Sequence, residues 1–413
     1  MPDNKNRLNK QRQKQQKPLL PDTPEQGLQE EPVAPVVDTG IVEVPDIPLP
    51  AAEDTSEVIE DAFKGAFKFG IVGSGQGGAR ITEAFHSLGY NRVCTINTTV
   101  QDQVAIKIPE DNKLEIGTSG AGKNPGIAEA KIKERYEDVY DLMRRCFGVD
   151  YDRILITVGA GGGTGGGTVE TLVKIAHDVL GSLKIEKEGE CRVGVIVALP
   201  KNSEGSKVLA NTYRLMGRLF QLVDEGKISP LIIIDNEKIK KIFPGKDVAS
   251  FYPVANQSVC TLFHLYNTIA CTESPLTTFD VFDFSTILDS GIITFGATPL
   301  AKWEDKTDIS FAVRDNLVKN ILGSVDIRTG NVAGCVVIGG KSVLTKVPED
   351  FLDHAFEMLT RIMADGSTVH RGVYYGSKEN LTVYTVIGGL EPPAERMKEI
   401  SSVGGLDDPD VPE

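Results

Sequence analysis

Short apolar runs of strand length alternate with longer segments of helical pattern along most of the chain. Between residues 66 and 271 each apolar run is followed by one such segment. Strands separated by helices in this order predict a parallel sheet with right-handed crossovers. The predicted strands are 66–72, 92–97, 153–159, 192–199 and 231–235, and the predicted helices are 76–88, 125–146, one that follows strand 153–159 and ends at 180, 203–224 and about 254–271.

The pattern changes after residue 290, where strands and helices no longer alternate one by one. This region predicts a smaller α+β domain, and none of its residues form a recognisable catalytic group, so we expect it to make contacts. Its predicted strands are 291–301, 332–339, 368–375 and 381–388, with helices near 309–322 and 348–363.

The two ends differ in composition from the rest. Residues 1–65 are rich in Pro and Gln with few apolar positions, which predicts a disordered tail. Its basic start could contact DNA, a membrane adaptor or an acidic partner, or could simply be solvated. Residues 392–413 predict a shorter acidic tail, which could also recruit a partner. The basic residues at the start are Lys5, Arg7, Lys10, Arg12, Lys14 and Lys17, and none follows until Lys64.

Charge and cysteine usage narrow the class of protein. The 413 residues carry a formal net charge of −14, which argues against a general nucleic-acid or membrane surface. The six cysteines form no Cys-x-x-Cys pair and are expected to be reduced. No apolar stretch is long enough to cross a membrane, and no apolar leader follows the basic start. We therefore expect a cytoplasmic protein of roughly two domains plus a tail.

Residues 161–167, Gly-Gly-Gly-Thr-Gly-Gly-Gly, join the predicted strand at 153–159 to a helix. Glycine permits positive φ and removes every Cβ, so successive backbone N–H groups can turn toward an anion, and the helix adds its positive N-terminal end. The segment therefore predicts a phosphate loop, and the expected ligand is a nucleotide.

Two more glycine-rich segments end neighbouring strands or lie beside them. Residues 73–78 satisfy Gly-x-Gly-x-x-Gly, but no carboxylate follows the second strand until Asp102, so the nicotinamide-binding pattern is incomplete. Residues 117–124 nearly spell a P-loop, yet Asn124 replaces the hydroxyl residue that would coordinate Mg²⁺. Ligands of parallel sheets bind beyond the carboxyl ends of strands. Three glycine loops are therefore expected at one edge.

These segments resemble the tubulin/FtsZ superfamily, in which residues 161–167 match the signature Gly-Gly-Gly-Thr-Gly-x-Gly. The Gln at position 76 is closer to tubulin, whereas Asn97-Thr98 and residues 120–125 are closer to FtsZ, so the chain resembles the prokaryotic FtsZ/TubZ-like members. The similarity covers roughly residues 66–391 and makes a prokaryotic, archaeal or viral source the expectation. It implies a Rossmann-like GTP-binding domain (66–250), a central helix and catalytic loop (251–290) and an activation domain (291–391).

The resemblance implies that GTP or GDP binds between the loops, with Mg²⁺ arriving with the nucleotide rather than at a separate metal site. Glu204 falls at the ribose loop, and Asn236 and Asn256 fall where the family contacts guanine. Asn256 is an amide where FtsZ has an aspartate, and an amide cannot accept from two guanine N–H groups as a carboxylate does. The implied nucleotide-binding residues are Gly75, Gln76, Gly77, Asn97, Gly120, Ala121, Gly122, Lys123, Asn124, Gly161, Gly162, Gly163, Thr164, Gly165, Gly166, Glu204, Asn236 and Asn256.

The same resemblance implies catalysis across a subunit interface. The family segment Asn-x-Asp-x-x-Asp reads Thr278-Phe-Asp280-Val-Phe-Asp283 here, so both acids are present and the asparagine is Thr278. A carboxylate within hydrogen-bond reach of a water can orient it toward the γ-phosphate. Acids this close to bound phosphates would repel them unless they arrived from a neighbouring subunit. The alternative is that Asp280 or Asp283 only caps a helix.

The expected function is thus a filament-forming GTPase that assembles head to tail, in cell division or in positioning plasmid or phage DNA. One alternative is a nucleotide-binding, polymerising scaffold with little turnover, suggested by Thr278 and Asn256. A nicotinamide oxidoreductase, the second alternative, matches only residues 73–78.

Overall fold

The computed structural model describes residues 65–406 except 118, 186–189, 246, 301 and 320–321. The predicted N-terminal tail up to residue 64 and the end of the predicted acidic tail, residues 407–413, lie outside the described residues. In chain order the strands are β1 (Phe69–Ser74), β2 (Val93–Asn97), β3 (Lys113–Glu115), β4 (Arg153–Gly159), β5 (Val193–Leu199), β6 (Leu231–Asp235), β7 (Ile292–Leu300), β8 (Val332–Gly340), β9 (Thr368–Gly376) and β10 (Leu381–Leu390). The helices are α1 (Gly75–Ser87), α2 (Pro125–Glu134), α3 (Tyr136–Phe147), α4 (Gly163–Leu183), α5 (Ser206–Asp224), α6 (Asn236–Ile242), α7 (Val248–Ile269), α8 (Val281–Leu288), α9 (Lys306–Lys319), α10 (Lys341–Leu344), α11 (Glu349–Ile362) and α12 (Ala394–Gly404).

All ten strands belong to one sheet with the order β3-β2-β1-β4-β5-β6-β7-β10-β8-β9. Neighbouring strands from β3 to β7 run parallel, β10 runs antiparallel to both β7 and β8, and β8 and β9 are parallel. The predicted α/β class with a mostly parallel sheet is therefore confirmed. The parallel strands β3 to β6 are joined to the strands of the second half, β7 to β10, by a short pairing of β6 with β7. Its pairs are Leu231 opposite Ile292 and Ile232 opposite Ile293.

Helices cover both faces of the sheet, which is why strands such as β1 and β2 are buried along their whole length. On one face, helix α7 packs an aromatic cluster across both halves. The Phe263 ring centroid lies 5.1 Å from that of Phe69 in β1, 5.9 Å from Phe284 in α8 and 6.2 Å from Phe295 in β7. Edge-to-face contacts of this kind add to the burial of apolar area. The core is thus continuous between the regions that the sequence predicts as separate domains.

Three element predictions differ from the structure. The helix predicted at 125–146 is two helices, because Arg135 leaves the helical conformation (φ −104°, ψ 27°) and lets α2 and α3 bury different faces. The central helix begins at Val248, before Pro253, since Asp247 accepts from the backbone N–H groups of Ala249 and Ser250 and so caps the earlier start. The short edge strand β3 was not predicted.

The region predicted as an acidic C-terminal tail begins with an ordered helix. Helix α12 buries Arg396, Ile400 and Ser401 and packs against α5. This helix was not predicted from the sequence, in which the acidic residues after position 406 dominate the charge of the segment. Among the described residues, no helix is both long and apolar enough to cross a membrane.

Candidate functional site

A cleft of about 520 Å³ opens at the carboxyl edge of β1, β4, β5 and β6. It brings together residues from segments that are far apart in the chain. The residues predicted from the sequence that line it are Gly75, Gln76, Gly77, Gly120, Ala121, Gly122, Lys123, Gly161, Gly162, Gly163, Thr164, Gly165, Glu204, Asn236 and Asn256.

Two helices begin at this cleft without a side-chain cap. Helix α1 starts at Gly75 and helix α4 at Gly163, so most residues of the predicted loops are the first turns of helices rather than loops. The side chain of Ser74, the N-cap of α1, accepts no hydrogen bond from the helix, and Gly162, the N-cap of α4, has no side chain. Neither first turn contains an acid. The first N–H groups of a helix need acceptors, and the helix dipole favours a negative charge there. Two helix ends in one cleft are therefore suited to bind an anion.

Close approach of backbone segments explains two of the glycines. A Cβ on Gly78 would lie 2.0 Å from the carbonyl oxygen of Thr157, so only glycine lets α1 pack against β4. A Cβ on Gly163 would lie 2.7 Å from the Cβ of Ala121 and 2.9 Å from the backbone nitrogen of Asn124. The start of α4 and the segment 120–124 therefore touch.

The floor of the cleft is held by a polar cluster beneath these helix ends. The hydroxyl oxygens of Thr98 and Thr164 lie 2.8 Å apart. The carbonyl oxygen of the Asn97 side chain accepts from the backbone N–H of Thr98 at 2.8 Å and from the Thr164 hydroxyl at 3.4 Å. Asn97 is fully buried, and so it positions the two threonines.

Three residues predicted as ligands lie behind the cleft. Besides Asn97, Asn124 accepts from the backbone N–H of Gly126 at 3.2 Å and caps α2. Gly166 lines a neighbouring surface groove between α2, α4 and α5. These three residues shape the loops but do not line the cleft.

The far end of the cleft carries polar and aromatic side chains. The Glu204 Oε1 atom accepts from the backbone N–H of Lys201 at 2.9 Å and from the Tyr252 hydroxyl at 3.2 Å. Asn236 is buried, and its Oδ1 atom has no hydrogen-bond partner within the described part of the chain. An unpaired buried carbonyl oxygen is costly, so this atom is suited to accept from a bound molecule.

Ten lining residues were not predicted as ligands, and among them are the polar or charged residues Arg80, Thr98, Asp102 and Tyr252. Tyr252 lies one helical turn before Asn256 on α7, which is the spacing that brings two side chains to one helix face. Placing the helix start at 254 hid that relation. Arg80 and Lys123 supply positive charge to the cleft, and Asp102 and Glu204 supply the carboxylates.

Asp280 and Asp283 form a capping box at the start of α8. The backbone N–H of Asp283 donates to Asp280 Oδ1, and that of Asp280 donates to Asp283 Oδ2, each at 3.0 Å. Both acids thus take part in capping α8, and their other contacts make them unequal. Asp283 Oδ1 also lies 2.6 Å from Nδ1 of His370, whereas Asp280 is exposed and its Oδ2 has no hydrogen-bond partner among the described residues.

Neither acid lines the cleft of its own chain. Helix α8 packs toward the opposite edge of the sheet, where the Nη2 atom of Arg153, the first residue of β4, lies 2.7 Å from Asp289 Oδ1 and 3.3 Å from Ser285 Oγ. The residues around the acids are apolar and exposed, with 75% of Phe282 and 40% of Val281 open to solvent. Exposed apolar residues beside polar ones are typical of a surface that another protein covers.

No profile of a known protein family matches the chain, but individual proteins do. It is 26% identical over 262 residues to the tubulin-like protein TubZ of Bacillus cereus, covering 59% of this chain and 56% of TubZ. It is 28% identical over 214 residues to cell division protein FtsZ 1 of Methanocaldococcus jannaschii, covering 51% and 53%. The chain therefore spans about half the length of these relatives. With the tubulin-like protein CetZ of Pyrococcus abyssi the identity is 26% over 331 residues, covering 78% and 85%.

Solved structures share the fold. A GTPγS-form protofilament of TubZ from Bacillus thuringiensis serovar israelensis superposes with a TM-score of 0.71 at 19% identity, covering 83% of this chain and 92% of that one. A GTPγS-bound protofilament of CetZ2 from Haloferax volcanii gives 0.67 at 17% identity, covering 83% and 100%. The chain is therefore homologous to the tubulin-like proteins TubZ, FtsZ and CetZ, and it shares the fold of the solved TubZ and CetZ structures.

Proposed function

We propose that the chain is a GTPase that assembles head to tail into filaments and hydrolyses GTP between subunits. The observation that supports this most is the separation of the two halves of the site. The cleft lies at the carboxyl edge of the sheet, and the acids lie on a helix that packs toward the amino edge. Since they cannot meet within one chain, a stacked second copy has to join them, and such an interface repeats without closing.

The nucleotide in this proposal spans the cleft. Its phosphates lie against the uncapped ends of α1 and α4, with Gln76 and Lys123 beside them. Its ribose lies near Glu204, and its base lies near Asn236 and Asn256. The free Oδ1 atom of Asn236 can accept from a guanine N–H group, which adenine does not offer at the same place. Tyr252 presents a ring for the base to stack on.

Mg²⁺ enters this proposal with the nucleotide, where it would neutralise charge that develops on the phosphates. Gln76 and Asp102 both line the phosphate end and offer the oxygen donors that Mg²⁺ prefers. Within the described residues no group of three or more His, Cys, Asp or Glu side chains could hold a metal by itself. The ion would therefore depend on phosphate oxygens and water for most of its coordination.

The catalytic roles of the two acids follow from their contacts. Asp280 is exposed and retains an unpaired oxygen, so it is the acid that can orient a water toward the γ-phosphate of the next subunit. Asp283 uses both oxygens within its own chain, on His370 and on the backbone of Asp280. We assign Asp283 the role of holding Asp280 in position.

Similar structures support assembly: TubZ and CetZ2 form protofilaments, and TubZ also forms a two-stranded filament. Relatives are named for cell division and for plasmid segregation. We propose that this chain serves one of these processes, or phage positioning, in the cytoplasm, and that a partner binds its N-terminal arm or its acidic end. The domain bounds 66–250, 251–290 and 291–391 stay predictions.

Assembly and hydrolysis should rise together with protein concentration. We expect GTP to produce light scattering and filaments in electron micrographs, with phosphate release per subunit increasing above a critical concentration because the acids come from a second copy. Phosphate release that is independent of protein concentration, with no polymer, would contradict the shared site.

The scaffold alternative predicts filaments with little phosphate release, and Thr278 and Asn256 are the residues that favour it. Thr278 accepts from the backbone N–H of Ser274 at 3.2 Å, so it acts within its own loop.

The shift in melting temperature on adding GTP, ATP or NAD shows which of these ligands the chain binds. A shift with NAD alone would support the oxidoreductase alternative.

Replacing His370 tests whether Asp283 holds Asp280 in position. We expect His370→Leu to lower the turnover number about tenfold, a loss of about 1.4 kcal/mol of transition-state stabilisation, because Asp283 loses its side-chain partner. Affinity for GTP should not change, since His370 lies outside the cleft. His370→Asn, whose amide can donate in place of Nδ1, should retain activity. Equal turnover in all three proteins would show that His370 is irrelevant.

A further inference from the structure

Through one side chain, the C-terminal helix contacts the two segments that carry Glu204 and Asn236. Arg396 of α12 is 3% exposed, which is unusual for arginine unless its charge is paired. Arg396 lies 160 residues after Asn236 in the chain, and no sequence motif contains both residues. Its position is therefore a product of the fold alone.

The guanidinium of Arg396 joins two segments that carry candidate ligands. Its Nη2 donates to the carbonyl oxygen of Pro200 at 2.9 Å, and its Nη1 donates to Asn202 Oδ1 at 2.6 Å. Both acceptors belong to the segment that leads to Glu204. The planar fork of arginine suits several acceptors at once.

On its other side Arg396 pairs with Asp235, which is 1% exposed, with Nε 3.1 Å from Oδ2. The Nε–H does not point along this line, so the contact is an ion pair rather than an aligned hydrogen bond. Asp235 caps α6, accepting from the backbone N–H of Glu237 at 3.0 Å, and the first residue of that helix is Asn236. Arg396 thus joins the ribose segment, residues 200–204, to the base segment, which is the start of α6 at residues 235 and 236.

Glu399, one turn further along α12, completes the arrangement. It accepts from Arg396 Nη1 at 2.8 Å and from Asn202 Nδ2 at 2.5 Å. Burial works against its ionisation, but these hydrogen bonds and the charge of Arg396 together lower the pKa of Glu399. The backbone N–H of Asn202 also donates to Glu237 Oε2 at 3.0 Å. The ring of contacts runs from α12 to the ribose segment, to α6 and back.

We propose that α12 acts as a clamp on the ribose and base end of the nucleotide site, with Arg396 as the positioning residue. This inference rests on the proposed nucleotide-binding function. Arg396 does not line the cleft, and the contacts of its clamp do not include the glycine segments at the phosphate end. The clamp therefore sets how well the base and ribose are recognised and leaves phosphate recognition unchanged. The position of α12 and nucleotide binding affect each other to the same extent, because coupling between two sites is reciprocal. Displacing α12 therefore weakens nucleotide binding.

The test compares nucleotide selectivity in Arg396→Lys and in the unaltered full-length chain. Lysine keeps the positive charge but is a single point charge that cannot bridge the same acceptors. We expect the Kd for GDP to rise about tenfold. Selectivity for GTP over inosine triphosphate and over 2′-deoxyGTP should fall toward one, while the ratio of GTP to GDP affinity stays constant. Isothermal titration is done at protein concentrations below the onset of assembly.

Arg328→Lys is the matched control. Arg328 borders the same surface groove as Arg396 but is 76% exposed and pairs with Asp326, so its replacement should change Kd by less than twofold. Glu399→Gln keeps Arg396 in place and should give an intermediate change. Melting curves establish that each variant is folded.

The outcomes separate this inference from the function on which it rests. If Arg396→Lys binds with unchanged affinity and selectivity, the clamp is refuted and the nucleotide site stands. A uniform loss of affinity for every nucleotide, with a lower melting temperature and unchanged selectivity, would also refute it, since α12 would then only stabilise the fold. If the unaltered chain binds no nucleotide, the proposed function itself fails.

Discussion

Asp280→Asn is expected to reduce GTP hydrolysis by roughly 10²- to 10⁴-fold, the contribution typical of a group that orients or deprotonates a reacting water. Asparagine is as good an N-cap as aspartate, so the hydrogen bond from the backbone of Asp283 and the start of α8 should survive. Only the carboxylate charge is lost. Phosphate release measured above the critical concentration gives the result.

Binding and assembly should respond differently from hydrolysis in this variant. Because Asp280 does not line the cleft of its own chain, the Kd for GTP measured on unassembled protein should stay the same. Filaments that keep their GTP should persist and grow longer. Asp283→Ala should behave in the same way, since Asp280 then loses its positioning partner.

Asp305→Asn provides the control for Asp280→Asn. Asp305 is also exposed and accepts from a backbone N–H group, that of Thr307 at 2.8 Å, but it precedes α9 rather than α8. Its replacement should leave phosphate release within twofold. Full hydrolysis by Asp280→Asn would refute the role of Asp280.

Gly163→Ala is expected to weaken GTP binding at least roughly a hundredfold, equivalent to about 2.7 kcal/mol. The added methyl would lie 2.7 Å from the Cβ of Ala121 and 2.9 Å from the backbone nitrogen of Asn124. The segment 120–124 must therefore move away from the start of α4, and an overpacked contact of this kind costs about 1–3 kcal/mol. Both segments line the cleft, so the anion site is distorted.

Gly181→Ala is a control on the same helix. Apart from its chain neighbours and the adjacent backbone of its own helix, no atom lies within 4 Å of a Cβ built on Gly181. The substitution should therefore leave GTP binding unchanged and raise the free energy of unfolding by about 0.5 kcal/mol through helix propensity. Titration with a fluorescent GTP analogue and a thermal melt measure both quantities. Tight binding by Gly163→Ala would mean that the phosphates lie elsewhere.

The sequence predicted the fold best where the physical signal is local. Strands such as 153–159 and 231–235 are found with the same bounds, since buried parallel strands are continuous apolar runs between turn residues. The helix start at Val248 was missed, because a proline normally ends a helix signal and the cap that offsets it is a single aspartate. Helix α12 was missed because its burial depends on Asp235, which is distant in the chain.

The residues of the candidate site also divide into those that the sequence predicted and those that it did not. Glycine segments can be recognised in the sequence because glycine adopts positive φ and permits close backbone contacts that other residues do not. A helix that begins at such a segment has free N–H groups in its first turn, wherever it lies in the fold. Tyr252 and Arg80 were not visible, since a tyrosine or an arginine at a helix start has many other uses.

The order of strands and helices, the three glycine segments and the acid pair were thus determined by the sequence itself, because each depends on the conformation of a few adjacent residues. The sequence also predicted the three glycine segments at one edge of the sheet, and the tertiary structure decided which of their residues meet there. It brought the starts of α1 and α4 into one cleft, set Asp280 and Asp283 apart from that cleft, and joined Arg396 to Asp235. Contacts between distant residues are fixed by packing and burial over the whole sheet, and no short stretch of chain contains that information.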